Sequence, residues 1–261
     1  MIKESSAQRK APSRSPISVR MSTRHDPATQ DESGPSAQPV VRFDAVACGR
    51  RGDGSQLRSL SFALSPGSFH LLIGPPGSGK TMLLRAICLA EPPSAGIVQI
   101  FGRDAATLSG KQALRLRRRI GVALQPATFI DHLSVWDNAA LGPRLVGRKL
   151  NEYGAEVDAM LKWLGLARLA DNFPPSLSAA ERYRLAIGRA LANRPELILV
   201  DEPPDLDEAD RVRAFKVLRD LLAAGATVVM TCRDEAFARA SGLPILRLQD
   251  GRSELLEPET R

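Results

Sequence analysis

The hydrophobic pattern changes character along the chain. From residue 41 to 46 apolar and polar positions alternate as Val-Arg-Phe-Asp-Ala-Val, which predicts a half-buried strand at a sheet edge. Later runs are short and mostly apolar: 69–73, 120–124, 197–200 and 227–231. The last two lack alternation altogether, as expected of strands covered on both faces. Helical patterning separates these runs over 81–89, about 208–223 and about 234–241, and residues 134–170 read as mostly helical. Strands that alternate with helices predict an α/β core built on a parallel sheet, interrupted by a helical insertion over about 126–182.

The ends of the chain carry a different pattern. Residues 1–38 are rich in Ser, Pro, Gln and Arg and nearly lack large apolar side chains. Such a segment buries too little to offset its ordering entropy, so it is expected to be a disordered tail. It is basic near its start (Lys3, Arg9, Lys10, Arg14, Arg20 and Arg24 against Glu4), which leaves a solvated tail and a weak contact with anionic lipid as alternatives. Met21 is an alternative start. Residues 252–261 are expected to be a second tail.

Composition narrows the setting. The chain has 261 residues, enough for one large domain or two small ones. No run has the roughly 18 apolar residues of a membrane span, and no secretory signal is visible. A cytoplasmic protein is expected, with any membrane role peripheral and through a partner. Cys48, Cys88 and Cys232 are far apart and lack metal-ligand spacing, which predicts reduced, mostly buried thiols. The net charge of +7 suits anionic ligands, but no basic run is interleaved with aromatics, so a nucleic-acid partner is not expected.

The first chemical signal follows the run at 69–73. Gly74-Pro75-Pro76-Gly77-Ser78-Gly79-Lys80-Thr81 fills the pattern G-x-x-x-x-G-K-[ST] between an expected strand and an expected helix. Glycines let the chain wrap closely around phosphate oxygens, and the helix N-terminus adds positive potential. Lys80 is expected on the β- and γ-phosphates of a nucleotide, and Thr81 on Mg²⁺. The second signal is Leu197-Ile198-Leu199-Val200-Asp201-Glu202-Pro203. Its apolar strand carries Asp201 to the sheet's C-terminal end, as a metal ligand, and Glu202 to a place where a carboxylate can polarise an attacking water.

Two further stretches discriminate among phosphate-loop proteins. Leu124-Gln125-Pro126 lies roughly 45 residues after Lys80, and "LSAAERYRLAIGRALANRPELILVDEP" ends on Asp201-Glu202-Pro203. This order resembles the ABC-type ATPases over about residues 40–250. "LRRRIGVALQ" and "DHLSVWDNAAL" are similar to the FtsE-type cell-division branch, related to lipoprotein-release and macrolide-export ATPases. The resemblance implies a P-loop NTPase core with a mainly parallel sheet, an antiparallel N-terminal β part and a helical insertion subdomain, over residues 39–251. It implies ATP and Mg²⁺ as ligands and a head-to-tail homodimer on ATP binding. It also implies an integral membrane partner, FtsX-like or another permease subunit, on the inner face of the cell membrane. Gly74, Pro75, Pro76, Gly77, Ser78, Gly79, Lys80, Thr81, Gln125, Ser178 and Arg233 are the implied nucleotide-site residues. Thr81, Gln125 and Asp201 are the implied metal set, and Glu202 is the implied catalytic group. Phe129, Leu133, Val135 and Trp136 are implied to line the partner's docking groove, with ordinary packing as the alternative.

The chain departs from the family pattern at four places around the nucleotide. Arg50 stands where an aromatic normally stacks on adenine. Ala179 and Ala180 replace two signature glycines after Ser178. "DEPPDLD" is one residue shorter than usual, although Asp207 keeps the final acid. Arg233 replaces a histidine; arginine only donates hydrogen bonds and stays charged. The expected function is therefore an ATP-binding, slowly hydrolysing subunit of a membrane complex. A nucleotide-sensing scaffold with little ATPase activity and a soluble ABC ATPase are the alternatives. Ser178 and Glu181 also form a capping-box pattern, which predicts a helix beginning at residue 179.

Overall fold

The computed structural model describes residues 38–49, 57–202 and 207–258. Arg50 and the shortened loop at 203–206 therefore lie outside the described residues, as do the tail readings for 1–37 and 259–261.

The chain begins with strands β1 (Val41–Cys48) and β2 (Leu57–Leu64), then β3 (Phe69–Ile73) and helix α1 (Lys80–Ile87). Strands β4 (Ala95–Ile100) and β5 (Arg103–Asp104), helix α2 (Gly110–Arg117) and strand β6 (Ile120–Ala123) follow. A helical stretch then holds α3 (Val135–Ala139), α4 (Leu141–Leu145) and α5 (Leu150–Trp163). Helix α6 (Ala179–Leu191) leads to β7 (Leu197–Val200), α7 (Glu208–Ala223), β8 (Thr227–Thr231), α8 (Glu235–Ala240), β9 (Ile245–Gln249) and β10 (Arg252–Leu256).

These strands form two sheets. The larger runs β10-β9-β3-β8-β7-β6 and is parallel except for its β9–β10 edge. Strands β3, β7 and β8 are buried at every residue, because helices cover one face and the smaller sheet covers part of the other. The smaller sheet runs β2-β1-β4-β5 and is antiparallel throughout.

Two expectations about the margins are corrected. The stretch at 41–46 is not an edge strand: β1 pairs with β2 on one side and β4 on the other. Its alternation records one buried face, which a central strand shows equally well when its other face is exposed. Residues 252–256, read as tail, form β10 and pair with β9 in the register Arg252 to Gln249 through Leu256 to Ile245. The Asp250-Gly251 turn joins them, with positive φ at both residues.

The start of the helical stretch is organised by Asn138, which is fully buried on α3. Its side chain accepts a bond from Ile130 N–H and donates towards the carbonyls of Ile130, Leu133 and Ser134, pinning the loop before the helix. Val135 beside it is also fully buried, so it cannot line a docking groove, whereas Phe129, Leu133 and Trp136 are half-buried. Phe129 lies under the Arg189 guanidinium at 5.0 Å. No helix among the described residues is long and apolar enough to cross a membrane.

Candidate nucleotide site

The turn between β3 and α1 is shaped by its glycines. Gly74, Gly77 and Gly79 all have positive φ (154°, 78° and 93°). A Cβ on Gly74 would be driven into the carbonyl oxygen of Leu248 and would lie 2.7 Å from Ser78 Oγ. One on Gly79 would meet Leu57 Cδ2 at 2.7 Å. The loop is thus packed tightly from behind by β9 and β2, and its other side faces a cavity.

That cavity of about 710 Å³ gathers most of the residues singled out from sequence. Gly74, Pro76, Gly77, Ser78, Gly79, Lys80, Thr81, Gln125, Asp201, Glu202 and Arg233 all line it, joined by Met82, Arg85, Pro126 and Thr231. Pro75 lines the neighbouring cavity instead, and its carbonyl accepts a bond from Lys80 Nζ at 3.0 Å. Ser178 is elsewhere. It caps α6, its Oγ accepting from Glu181 N–H (3.3 Å) while Glu181 Oε2 accepts from Ser178 N–H (2.8 Å). The Ser178 N–H, and then its Oγ donating to the same Oε2 at 2.8 Å, hold the Glu181 carboxyl below the usual carboxylate range.

Two observations test the fit of a phosphate group and a cation here. Ser78 Oγ is buried and has no hydrogen-bond partner among the described residues, so the loop presents an unused donor. Lys80 Nζ reaches back to the Gly74 carbonyl at 2.6 Å, and burial with the nearby Arg233 charge lowers its pKa although Asp201 opposes this. Both features suit an anion that would satisfy the hydroxyl and the ammonium together. Thr81 Oγ1 donates to Asp201 Oδ2 at 2.8 Å, so two hard oxygen ligands from distant parts of the chain already meet. Gln125 joins them at the cavity wall, where its Oε1 accepts from Ala127 N–H at 3.2 Å. The residues present therefore fit a phosphate group, with the hard oxygens of Thr81 and Asp201 beside it suited to a cation.

The structure adds two residues that sequence reasoning missed. The first is Thr231, 1% exposed at the end of β8. Its hydroxyl donates to Asp201 Oδ1 (2.8 Å) and accepts from Glu202 N–H (2.7 Å), tying both acids to the neighbouring strand. Parallel pairing of β7 with β8 sets this up, since Val200 opposes Met230 and the next residues emerge side by side. The second is Arg211 in the first turn of α7. Its Nε bonds Glu202 Oε1 at 2.5 Å, and its Nη1 reaches Asp234 Oδ2 at 3.2 Å. Glu202 Oε2 accepts from Arg233 N–H at 2.9 Å. A signal for Arg211 existed: a cation at the positive end of a helix is misplaced unless a carboxylate holds it.

The surroundings of Glu202 are otherwise enclosed. Tyr183 on α6 has a buried hydroxyl with no hydrogen-bond partner among the described residues. Burial, then the charges of Glu202 and Asp201, push its pKa far up, so it stays a neutral phenol. Burial and the Glu202 charge likewise push Cys232 up to about 11, making an unreactive thiol. All three cysteines are free and buried, as expected.

Comparisons with known proteins agree with one another. The ABC transporter family model matches residues 57–205, more than half of the chain. The cell division ATP-binding protein FtsE of Escherichia coli strain K12 is 33% identical over 213 residues, spanning 81% of this chain and 96% of that protein. FtsE of Bacillus subtilis strain 168 is 30% identical over 196 residues, 75% of this chain and 86% of that one. A solved structure described as the dimeric, post-hydrolysis state of the ATP-binding cassette MJ0796 bound to ADP and Pi superimposes with a TM-score of 0.77. It is 28% identical, and the match covers 85% of this chain and all of that one.

Proposed function

The chain belongs to the ABC transporter family, as an ATP-binding subunit of the FtsE-like kind, and from that premise we propose that it couples ATP binding to an integral membrane partner, with slow hydrolysis. The carrying observation is the convergence of Lys80, Thr81, Gln125, Asp201 and Glu202 on one cavity. The partner is FtsX-like or another permease subunit, and the role is in cell division or envelope remodelling. The subunit works from the cytoplasm, at the inner face of the membrane. The dimeric cassette and the FtsE relatives support a head-to-tail homodimer closed by ATP.

In this reading the glycine loop and Lys80 hold the β- and γ-phosphates of ATP, and Ser78 supplies a further donor. Bound Mg²⁺ would neutralise phosphate charge, held by Thr81, Gln125 and Asp201. Glu202 accepts a hydrogen bond from the attacking water. The water oxygen bonds the γ-phosphorus, the bond to the β–γ bridging oxygen breaks, and the proton passes to the phosphate product. Arg233 adds positive charge at the γ-phosphate but cannot accept a bond from the water. Ser178 acts on the nucleotide of the other subunit, across the dimer, from the α6 N-terminus.

Steady-state ATP turnover, measured beside ATP-dependent dimerisation, tests the reading. Dimerisation with slow turnover that Glu202→Gln abolishes is expected, and brisk turnover would remove the slow-hydrolysis part. Capture from detergent-solubilised membranes should return an integral membrane protein. If none copurifies, a soluble ABC ATPase is the better reading. The ion pair between Arg211 and Glu202 favours a second reading, a nucleotide-sensing scaffold, for which tight ATP binding without Glu202-dependent phosphate release would be diagnostic.

A further inference from the structure

Between Asp104 and Asp131 the chain carries no acid but five cations: Lys111, Arg115, Arg117, Arg118 and Arg119. All lie on α2 or in the two residues after it. Two are used by the fold. Arg119 pairs with Glu196 at 2.6 Å and lies over the Phe101 ring, and Arg117 donates to the Leu89 carbonyl. Lys111, Arg115 and Arg118 are exposed and have no ion pair among the described residues. Lys111, Leu114, Arg115 and Arg118 stand at i, i+3, i+4 and i+7, which is one stripe of a helix. Leu114 within that stripe is 54% exposed, whereas Leu116, on the opposite side of α2, is buried. The fold does not account for the stripe. A helix's first turn disfavours a cation, yet Lys111 stands there with no acid beside it. The helix start is fixed without it, by the capping box of Ser109 and Gln112.

We propose that the outward stripe of α2 docks on the surface of an anionic lipid bilayer, with Lys111, Arg115 and Arg118 at the lipid phosphates and Leu114 at the acyl-chain boundary. Charge complementarity carries the choice. Three uncompensated cations on one face attract an anionic surface, and each Lys or Arg near such a surface strengthens partitioning roughly fivefold. The exposed leucine in the middle of the stripe separates a bilayer from a nucleic acid. A duplex offers phosphates without an apolar layer, and a single strand is gripped by aromatics, which α2 lacks. In the proposed function a partner holds the subunit at the membrane; here the chain itself also touches lipid. None of the four residues lines the nucleotide cavity, so the contact can be tested without ATP or the partner.

Co-sedimentation of the full chain with vesicles tests this. The chain should bind phosphatidylcholine vesicles holding about 30% phosphatidylglycerol but not pure phosphatidylcholine, and binding should weaken as salt rises from about 0.1 M to 1 M. In the triple variant Lys111→Gln/Arg115→Gln/Arg118→Gln the partition coefficient should fall by at least about 30-fold, screening trimming the product of three fivefold losses. Leu114→Ser keeps the charges and should lose roughly fivefold. Melting temperature and ATP affinity should match those of the unsubstituted chain, since all four side chains are exposed and lie outside the nucleotide cavity. The basic N-terminal stretch supplies the control: Lys3→Gln/Arg9→Gln/Lys10→Gln should lose less than the triple α2 variant. Should the triple variant fail to fold, Arg115→Gln alone, expected to bind about fivefold more weakly, decides. The proposal is overturned by no binding of the unsubstituted chain to the anionic vesicles, by unchanged binding in the α2 variants, or by an equal loss in the N-terminal control. Tighter binding of duplex DNA than of these vesicles at the same salt also overturns it. A chain that binds the vesicles but not ATP upholds it and removes the nucleotide reading instead.

Discussion

Thr231 offers a direct test of how the two acids are held. Thr231→Val conserves shape and removes one hydroxyl from a fully enclosed site. Two bonds are lost: the one given to Asp201 Oδ1 and the one received from Glu202 N–H. A hydrogen bond to a charged group contributes about 1.5–3 kcal/mol, and a buried amide left unpaired costs about 1–3 kcal/mol. Some relaxation towards water in the cavity offsets part of this, so a net loss of about 3 kcal/mol is expected. For a domain of this size that corresponds to about 6–12 °C in melting temperature. ATP affinity should fall as well, because Asp201 loses one of its two anchors and Thr81 alone remains to orient it. Thr231→Ser keeps the hydroxyl and should cost about 1 kcal/mol, with ATP affinity retained. Thermal melts with and without MgATP give both quantities. A Thr231→Val protein melting within about 2 °C of the unsubstituted chain would refute the reasoning.

Gly74→Ala should lower both melting temperature and ATP affinity, since its methyl meets the Leu248 carbonyl; Gly110→Ala, with open space around its Cβ at the start of α2, is the control that should lower neither. Lys80→Ala should abolish ATP binding measured by equilibrium titration, while its melting temperature without nucleotide stays close to that of the unsubstituted chain. Burial lowers His70 to about 4, below its unfolded value near 6.5, so the unfolded chain binds the extra proton between these limits. The stability from a neutral His70 is present above about pH 6.5 and is lost as pH falls towards 4. It amounts to about 2 kcal/mol by pH 5 in urea titrations, and His70→Leu should flatten that slope.

The sequence made some of these features visible and hid others for physical reasons. The buried strands at 69–73, 197–200 and 227–231 were legible because strands covered on both faces must be apolar throughout. The glycine loop was legible because only that backbone can wrap so closely, and Ser178 with Glu181 because a capping box is local. What failed was pairing. Alternation at 41–46 reported one buried face and could not say that β4 would cover the second edge of β1. Strand β10 was hidden because its residues are mostly exposed or half-buried, with little apolar pattern. Thr231 was hidden because its partner is 30 residues away on another element, and Arg211 was legible only as a cation in a helix's first turn, its partner 9 residues back being out of view.

The departures from the family pattern fall unevenly on this framework. At the α6 N-terminus the alanines cost the helix nothing: Ser178 and Glu181 complete the capping box, and alanine is the best helix former. Ala179 is exposed and Ala180 half-buried at this helix start. At Arg233 the backbone still serves Glu202 through its N–H, so the replacement changes the side chain that lines the cavity without releasing the acid. The binding elements, by contrast, are braced by the chain itself: Lys80 by two loop carbonyls, Asp201 by two threonines. In the proposed reading, binding and hydrolysis thus rest on different supports. Substitutions in the Lys80–Thr81–Asp201 set should reduce ATP affinity, whereas those at Arg211 should move turnover with affinity unchanged. Measuring both constants on the same variants separates the two, and a fall in ATP affinity as large in Arg211→Gln as in Thr231→Val would show that they are not separable.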